Sequence, residues 1–215
     1  MKKLFVLALC IFASAALSAK PDKKAAEKAV AGFLENVKKG DFAKAGGFIE
    51  GGFDVEAQYS AFMPVLKIIS SQINYKIISS NISEDGEIIV KTKISAPDMP
   101  KIMEAMEIEF SSEKVQSAVE KAETEEEKDK LVSKLMTDFI SKSVSDKNHL
   151  RIDTDVDISV SENEGKWILT GSDELASGII GQMDKYAEKQ EAPDVPEAAD
   201  EESDDSEIPQ SNETE

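Results

Sequence analysis

Residues 153–164, "DTDVDISVSENE", carry side-chain oxygens at the spacing of a calcium-binding loop. In the EF-hand, ligands occupy positions 1, 3, 5, 7, 9 and 12 of a twelve-residue loop, and a glycine at position 6 allows the sharp turn. The six ligand positions hold Asp153, Asp155, Asp157, Ser159, Ser161 and Glu164. The glycine position, however, is Ile158, and apolar and polar residues alternate throughout. We therefore predict a strand without metal ligands, which would spread the three aspartates over about 13 Å.

Few residues have the chemistry of a general acid or base. The single histidine, His149, precedes a predicted strand, and we interpret it as an exposed loop residue. Tyr59 and Tyr75 could donate a hydroxyl proton, but we interpret both as core or rim residues. A general base must lie within hydrogen-bond reach of a substrate in a pocket, and no serine has a nucleophile-elbow context. We therefore expect no catalytic residue, no cofactor-binding residue, no metal ligand and no cofactor.

Four methionines fall in the segment 98–147, which has helical spacing. They are Met99, Met103, Met106 and Met136. Methionine is flexible and fills irregular gaps in a core, so we interpret these residues as core fillers. The alternative is that the segment forms a mobile lid or an adaptable apolar surface, because methionine also repacks easily.

The first residues, "MKKLFVLALCIFASAALSAK", have the layout of a secretory signal peptide. Two lysines precede an apolar run, and small residues follow it. We therefore predict a leader at 1–19 and an exported protein, either periplasmic or extracellular. The apolar run is too short for a transmembrane helix, so we do not expect an integral membrane protein after cleavage. The only cysteine, Cys10, lies in this leader, and the mature chain would form no disulfide.

The formal net charge of the chain is −18 at pH 7, and acidic residues are concentrated near its C-terminus. From Glu188 onward there are twelve acidic residues and one lysine, with few apolar residues. Such a segment cannot bury enough apolar surface to offset the entropy of ordering, so we predict a disordered tail at 188–215. Binding to nucleic acid or to an anionic membrane requires clustered basic residues. The chain has one arginine, Arg151, and we expect neither partner.

A helix, a corner and a second helix are predicted at the start of the folded part. Asp22 can cap a helix that continues to Lys39, because an apolar stripe follows it at helical spacing. The stripe consists of Ala26, Val30, Phe33, Leu34 and Val37. Gly40 can take the left-handed conformation that ends a helix, and Asp41 can cap a short helix over 42–49.

The rest of the folded part alternates between helical and strand-like patterns. The patterns predict a helix over 54–70, in which Pro64 marks a kink or the start of a second piece. They then predict a hairpin around Asp85-Gly86 and helices over 97–147. A hairpin around 163–165 and a helix over about 173–188 follow. Thr124 and Glu127 have the spacing of a capping box. Helices segregated from antiparallel strands predict an α+β fold rather than a parallel sheet.

Two short stretches resemble a known fold. "AVAGFLENVKKGDFAKA" (29–45) resembles the start of uncharacterised exported bacterial proteins with the nuclear transport factor 2-like, or cystatin-like, fold. "NEGKWIL" (163–169) is similar to the last hairpin of that group. The resemblance covers about 30–95 and 149–171. It implies a long first helix that breaks at a Gly-Asp-aromatic corner and lies across a curved antiparallel sheet. The segment 98–147 and the last helix depart from the pattern.

These observations predict three parts: a leader at 1–19, a cone-like α+β domain at 20–187 and a tail at 188–215. In the domain, N-terminal helices cover a curved antiparallel sheet, a helical insert at 98–147 separates two hairpins, and a C-terminal helix follows. We expect a non-catalytic module that binds an unknown protein or a small apolar ligand. A carrier would need an apolar cavity of a few hundred Å³, whereas an interaction module would expose an apolar patch. An enzyme with an acid–base pair inside the cone is the least favoured alternative.

Overall fold

The computed structural model describes residues 22–52, 60–146 and 150–191. The predicted leader, the segment 53–59, the segment 147–149 and the chain beyond 191 lie outside these ranges. His149 and Tyr59 are therefore not among the described residues, and neither is most of the predicted acidic tail.

Within the described ranges the chain forms eight α-helices and one four-stranded antiparallel sheet. The helices are α1 (Lys23–Lys38), α2 (Phe42–Gly46), α3 (Met63–Ser71), α4 (Met99–Phe110), α5 (Glu113–Glu120), α6 (Glu125–Ser145), α7 (Asp173–Ile179) and α8 (Met183–Glu191). The strands are β1 (Asn74–Ile82), β2 (Ile88–Pro97), β3 (Arg151–Asn163) and β4 (Lys166–Leu169). This architecture confirms the predicted α+β class.

The sheet has the strand order β1-β2-β3-β4, and one of its faces is buried. Alternate residues point to opposite faces of a strand, so one hydrophobic set per strand forms the core side. The buried face consists of Ile88, Val90, Thr92, Ile94, Val156, Ile158, Val160 and Leu169. On the opposite face Lys91 lies across from Asp157, and Lys93 from Asp155, with N–O distances of 3.6 and 3.4 Å. The alternation predicted for β3 is confirmed, and its aspartates lie along a strand.

Helix α1 covers the buried face of the sheet with its apolar stripe. Asp22 caps the helix by accepting a hydrogen bond from the backbone N–H of Ala25, as predicted. Near the start of the helix, the ammonium of Lys23 donates to the carbonyl of Ser80 at 2.9 Å. Near its end, Lys38 donates to the side-chain carbonyl of Asn74 at 3.1 Å. Because Ser80 and Asn74 lie at opposite ends of β1, helix α1 runs antiparallel to that strand.

The predicted corner after α1 is confirmed. Gly40 has φ of +69°, the left-handed region that glycine enters at little cost. Asp41 then accepts a hydrogen bond from the backbone N–H of Lys44 and caps α2. Phe42, the next residue, is buried in the main core, which we define as the cluster of apolar side chains between the N-terminal helices and the buried face of the sheet. The corner therefore folds α2 back against the apolar stripe of α1.

The predicted helical insert consists of α4, α5 and α6 and lies between the two hairpins. Thr124 and Glu127 form a complete capping box at the start of α6. Residues of α3, α4 and α6 form a second apolar cluster: Val65, Ile69, Met99, Ile102, Ile140 and Val144. Met99 and Met106 are buried, and Met103 packs against the second cluster, in agreement with a role as core fillers.

The structure decides between the two alternatives for Pro64 and corrects one helix prediction. Pro64 lies in the first turn of α3, where its missing N–H costs nothing, so the alternative that it starts a second piece is confirmed. The prediction of one helix over about 173–188 was wrong, because α7 and α8 are separate and α8 continues to Glu191. They are separated at Gly181 and Gln182, whose φ angles of 64° and 59° are left-handed. Two consecutive left-handed residues end a right-handed helix.

Replacing Thr92 with valine tests the packing of the buried face. Thr92 is 1% exposed, and its hydroxyl has no hydrogen-bond partner among the described residues. An unpaired buried hydroxyl is unfavourable, so Thr92→Val should raise the free energy of unfolding by about 1 kcal/mol. Urea denaturation would measure the change.

Thr154→Val is the matched control on the neighbouring strand. The hydroxyl of Thr154 accepts a hydrogen bond from the side-chain amide of Gln182 at 3.0 Å. Its removal would leave a buried amide unpaired and should lower the free energy of unfolding by about 1 kcal/mol or more. Changes of the same sign in the two variants would contradict this account of Thr92.

Candidate functional site

The helices on the covered side of the sheet leave an open groove between them. Its volume is about 640 Å³, and its described lining residues belong to α1, α2, α3, α7, α8 and the loops beside them. We call this the apolar groove; its main wall residues are Phe33, Val37, Phe42, Leu66, Leu175 and Ile179. Strand residues are not among the described lining residues. The groove thus lies among the helices and not against the inner face of the sheet.

The corner between α1 and α2 forms the first wall. Phe33 and Val37 come from the last turns of α1, and Phe42 begins α2, so the turn at Gly40 brings the three side chains together. Asp41 stabilises this turn as the cap of α2. The ammonium of Lys44 hydrogen-bonds the Asp41 carboxylate at 2.6 Å, and this bond lowers the pKa of Asp41.

The two C-terminal helices form the opposite wall. Ser172 caps α7 by accepting a hydrogen bond from the backbone N–H of Leu175 at 3.2 Å. The hydroxyl of Ser177 in α7 donates to the carboxylate of Asp184 in α8 at 2.8 Å. The break at Gly181 lets α7 pack on β2 and β3 while α8 packs on α4. As a result, Leu175, Ile179 and Asp184 all line the same groove.

Helix α3 and the turn before it contribute a third side. Val65 and Leu66 line the groove from α3, and Phe62 lines it from the preceding turn. The side chain of Phe62 is 51% exposed, although phenylalanine is normally buried. An exposed aromatic ring at the edge of an apolar groove is a common feature of binding surfaces.

Polar groups are sparse in the apolar groove, and none of them is basic. Among the described lining residues the polar side chains are Ser172, Asp173 and Asp184. No lysine, arginine or histidine is a described lining residue. The described lining therefore offers two carboxylates and one hydroxyl among apolar side chains.

Of the three acid–base candidates, Tyr75 alone is among the described residues, and it lies away from the groove. Tyr75 lies in β1, and its hydroxyl donates to the carboxylate of Glu35 in α1 at 3.1 Å. Burial and this hydrogen bond raise the pKa of Tyr75. The side chain packs against the main core, as predicted for a core or rim residue. It joins α1 to the sheet and is not a described lining residue of the groove.

The described residues contain no group of three or more histidine, cysteine, aspartate or glutamate side chains placed to hold a metal ion. In the stretch with calcium-loop spacing, Asp153, Asp155 and Asp157 instead pair with Lys93 and Lys91 across the sheet. Within the described ranges, no helix combines the length and the apolar character needed to cross a membrane.

The apolar groove was not predicted from the sequence, because the pattern over about 173–188 indicated one continuous helix. The signal that was available is Gly181, which the structure shows to be the point where the helix ends. Even if the helix break had been predicted correctly, it would not have shown that α7 faces the corner between α1 and α2.

Comparison of the chain with protein-family models, with curated proteins and with solved structures finds no match.

Gly181→Ala tests the break that positions the α7–α8 wall. A Cβ atom at Gly181 would lie 2.1 Å from the carbonyl oxygen of Pro97, in addition to the strain of a left-handed residue. We expect a loss of about 3 kcal/mol in the free energy of unfolding, because backbone must move. Chemical denaturation, followed by circular dichroism, would measure the loss.

Gly165→Ala is the matched control. Gly165 has φ of 78°, but a Cβ atom there would meet nothing within 4 Å. Only the backbone strain remains, and we expect a loss of about 1 kcal/mol. Equal losses in the two variants would show that the close approach of the Pro97 carbonyl adds no cost to a side chain at residue 181.

Proposed function

We propose that this protein is a non-catalytic carrier that binds a small apolar molecule in the apolar groove. The observation that carries the proposal is the size of the groove together with its lining. Its volume of about 640 Å³ is that of a small-molecule site, and sixteen of its nineteen described lining residues are apolar or glycine. A site of this kind provides affinity by removing apolar surface from water.

The exposure of its wall supports the same proposal. Phe62 is half exposed at the edge of the groove, and Leu66 is only partly buried beside it. A bound apolar molecule would cover these side chains and complete the packing between α3 and the C-terminal helices. Burial of apolar surface contributes about 25 cal/mol per Å², so even a modest ligand would gain affinity there.

The proposed family and location agree with a carrier role. We propose that the chain has a nuclear transport factor 2-like arrangement, with a curved sheet under a long first helix, and that it acts after export, in the periplasm or outside the cell. The resemblance that suggests this fold rests on the corner at 29–45 and the hairpin at 163–169. The site that we propose differs from the interior of the cone in that helices form its walls.

A protein-interaction module is the second candidate, because the helical insert also exposes apolar surface. Ile108 in α4 is 76% exposed. This is the highest exposure of any large apolar residue among the described residues. This surface lies on the insert and is separate from the described lining of the groove. Ile108→Lys should therefore leave ligand binding unchanged, whereas it should weaken any complex that uses the insert.

A neutral fluorescent dye, N-phenylnaphthylamine, tests the carrier proposal. We expect saturable binding by the wild type, with enhanced fluorescence. Ala176 is exposed and lines the groove from α7, so Ala176→Phe should place a ring in the groove and weaken dye binding at least about tenfold. Fluorescence titration would measure the affinity, and thermal denaturation would show that the variant folds.

Ala105→Phe is the matched control, because Ala105 is also an exposed helical alanine but lies in α4, away from the groove. We expect its dye affinity to equal that of the wild type. The carrier proposal is wrong if the wild type does not bind the dye, or if the two phenylalanine variants bind it equally well. Native mass spectrometry of the purified protein would show independently whether a ligand is retained.

A further inference from the structure

The charge around the apolar groove is entirely negative among its described lining residues. Asp173 and Asp184 are the only charged side chains there. Asp184 accepts a hydrogen bond from Ser177, but no basic side chain of the described residues forms an ion pair with it. Ser172 already accepts the capping bond from Leu175. The groove therefore combines apolar walls with two carboxylates that no described basic side chain pairs with, each in the first turn of its helix.

The lysines on the surrounding helices have other partners or lie outside the groove lining. The bonded pairs are Lys38 with Asn74, Lys44 with Asp41, Lys185 with Gln182, and Lys189 with Glu104. Lys67 of α3 is exposed and is not a described lining residue. No lysine is thus placed in the described lining to bind the head group of an apolar anion.

From this geometry we infer that the ligand of the apolar groove is an amphiphile with a protonated amine, and that apolar carboxylates such as fatty acids are excluded. The inference rests on the proposed carrier function. A carboxylate head group would lose water beside like charges and gain no basic partner, which is unfavourable. An ammonium group would instead be attracted to Asp173 and Asp184, while its alkyl chain contacted the apolar walls.

The same charge argument applies to the chain's own C-terminal segment. That segment follows α8, whose residue Ala187 lines the groove. It is rich in aspartate and glutamate and poor in apolar residues. Like charges would repel it from Asp173 and Asp184, so an external cationic ligand is the better occupant.

Displacement of N-phenylnaphthylamine by three compounds of equal chain length tests the inference. Decylamine, decanol and decanoate differ only in the head group, which is cationic, neutral or anionic at neutral pH. We expect decylamine to displace the dye at concentrations about tenfold lower than decanoate, with decanol between them. Fluorescence titrations of the full mature chain would give the three values.

Substitution of Asp184 separates the groove from the overall charge of the protein. The net charge of −18 attracts any cation, so a preference for decylamine could arise outside the groove. Asp184→Asn removes one charge from the groove and keeps an oxygen that can accept the bond from Ser177. We expect it to reduce the ratio of decylamine to decanoate affinity about threefold or more.

Glu174→Gln is the matched control for charge. Glu174 is exposed in the first turn of α7, next to Asp173, but it is not a described lining residue. This variant changes the net charge by the same amount and should keep the wild-type affinity ratio. Equal ratios in the two variants would overturn the inference.

The remaining outcomes distinguish the inference from the proposed function. If the dye binds and decanoate displaces it as well as decylamine does, the inference is wrong and the carrier function stands. If the wild type does not bind the dye, the carrier function is wrong, and the inference is wrong with it.

Discussion

The burial of one face of the sheet is the constraint on which the rest of the structure depends. Ile88, Val90 and Ile94 of β2 form the centre of an apolar face that must be removed from water. The other face of the same strand carries Lys91 and Lys93, which pair with aspartates of β3 and remain exposed. Exposed pairs of this kind contribute little to stability. Because only the apolar face must be removed from water, the helices pack on that face, and α1 and α7 cover it.

The two places where the helical cover changes direction determine where the apolar groove forms. Gly40 turns the chain after α1, and Gly181 separates α7 from α8, both in the left-handed conformation. Each turn places a short helix beside a longer element instead of extending it into solvent. The resulting walls meet around a space that their own side chains do not fill. A continuous C-terminal helix could not have formed the α7–α8 wall.

The charge of the groove depends on the hydrogen bonds that the surrounding lysines form outside it. Lysines of the groove-forming helices bond to neighbouring polar groups, and those bonds stabilise helix ends and helix–strand contacts. Asp184 is left with only the hydroxyl of Ser177 among the described residues. The preference for a cationic ligand is thus a consequence of the same hydrogen bonds that hold the helices in place. It does not require a dedicated binding motif.

The sequence by itself determined the class of fold and most of its local structure. The caps at Asp22, Asp41 and Thr124, the turn at Gly40 and the alternation along β3 all act over a few residues, so a local pattern reveals them. Only the tertiary structure decided that Phe33 and Leu175, far apart in the chain, line one groove. It also decided that residue 181 must be glycine, because a Cβ atom there would lie 2.1 Å from the carbonyl oxygen of Pro97. Such contacts depend on how distant elements pack, and periodicity carries no information about which faces will meet.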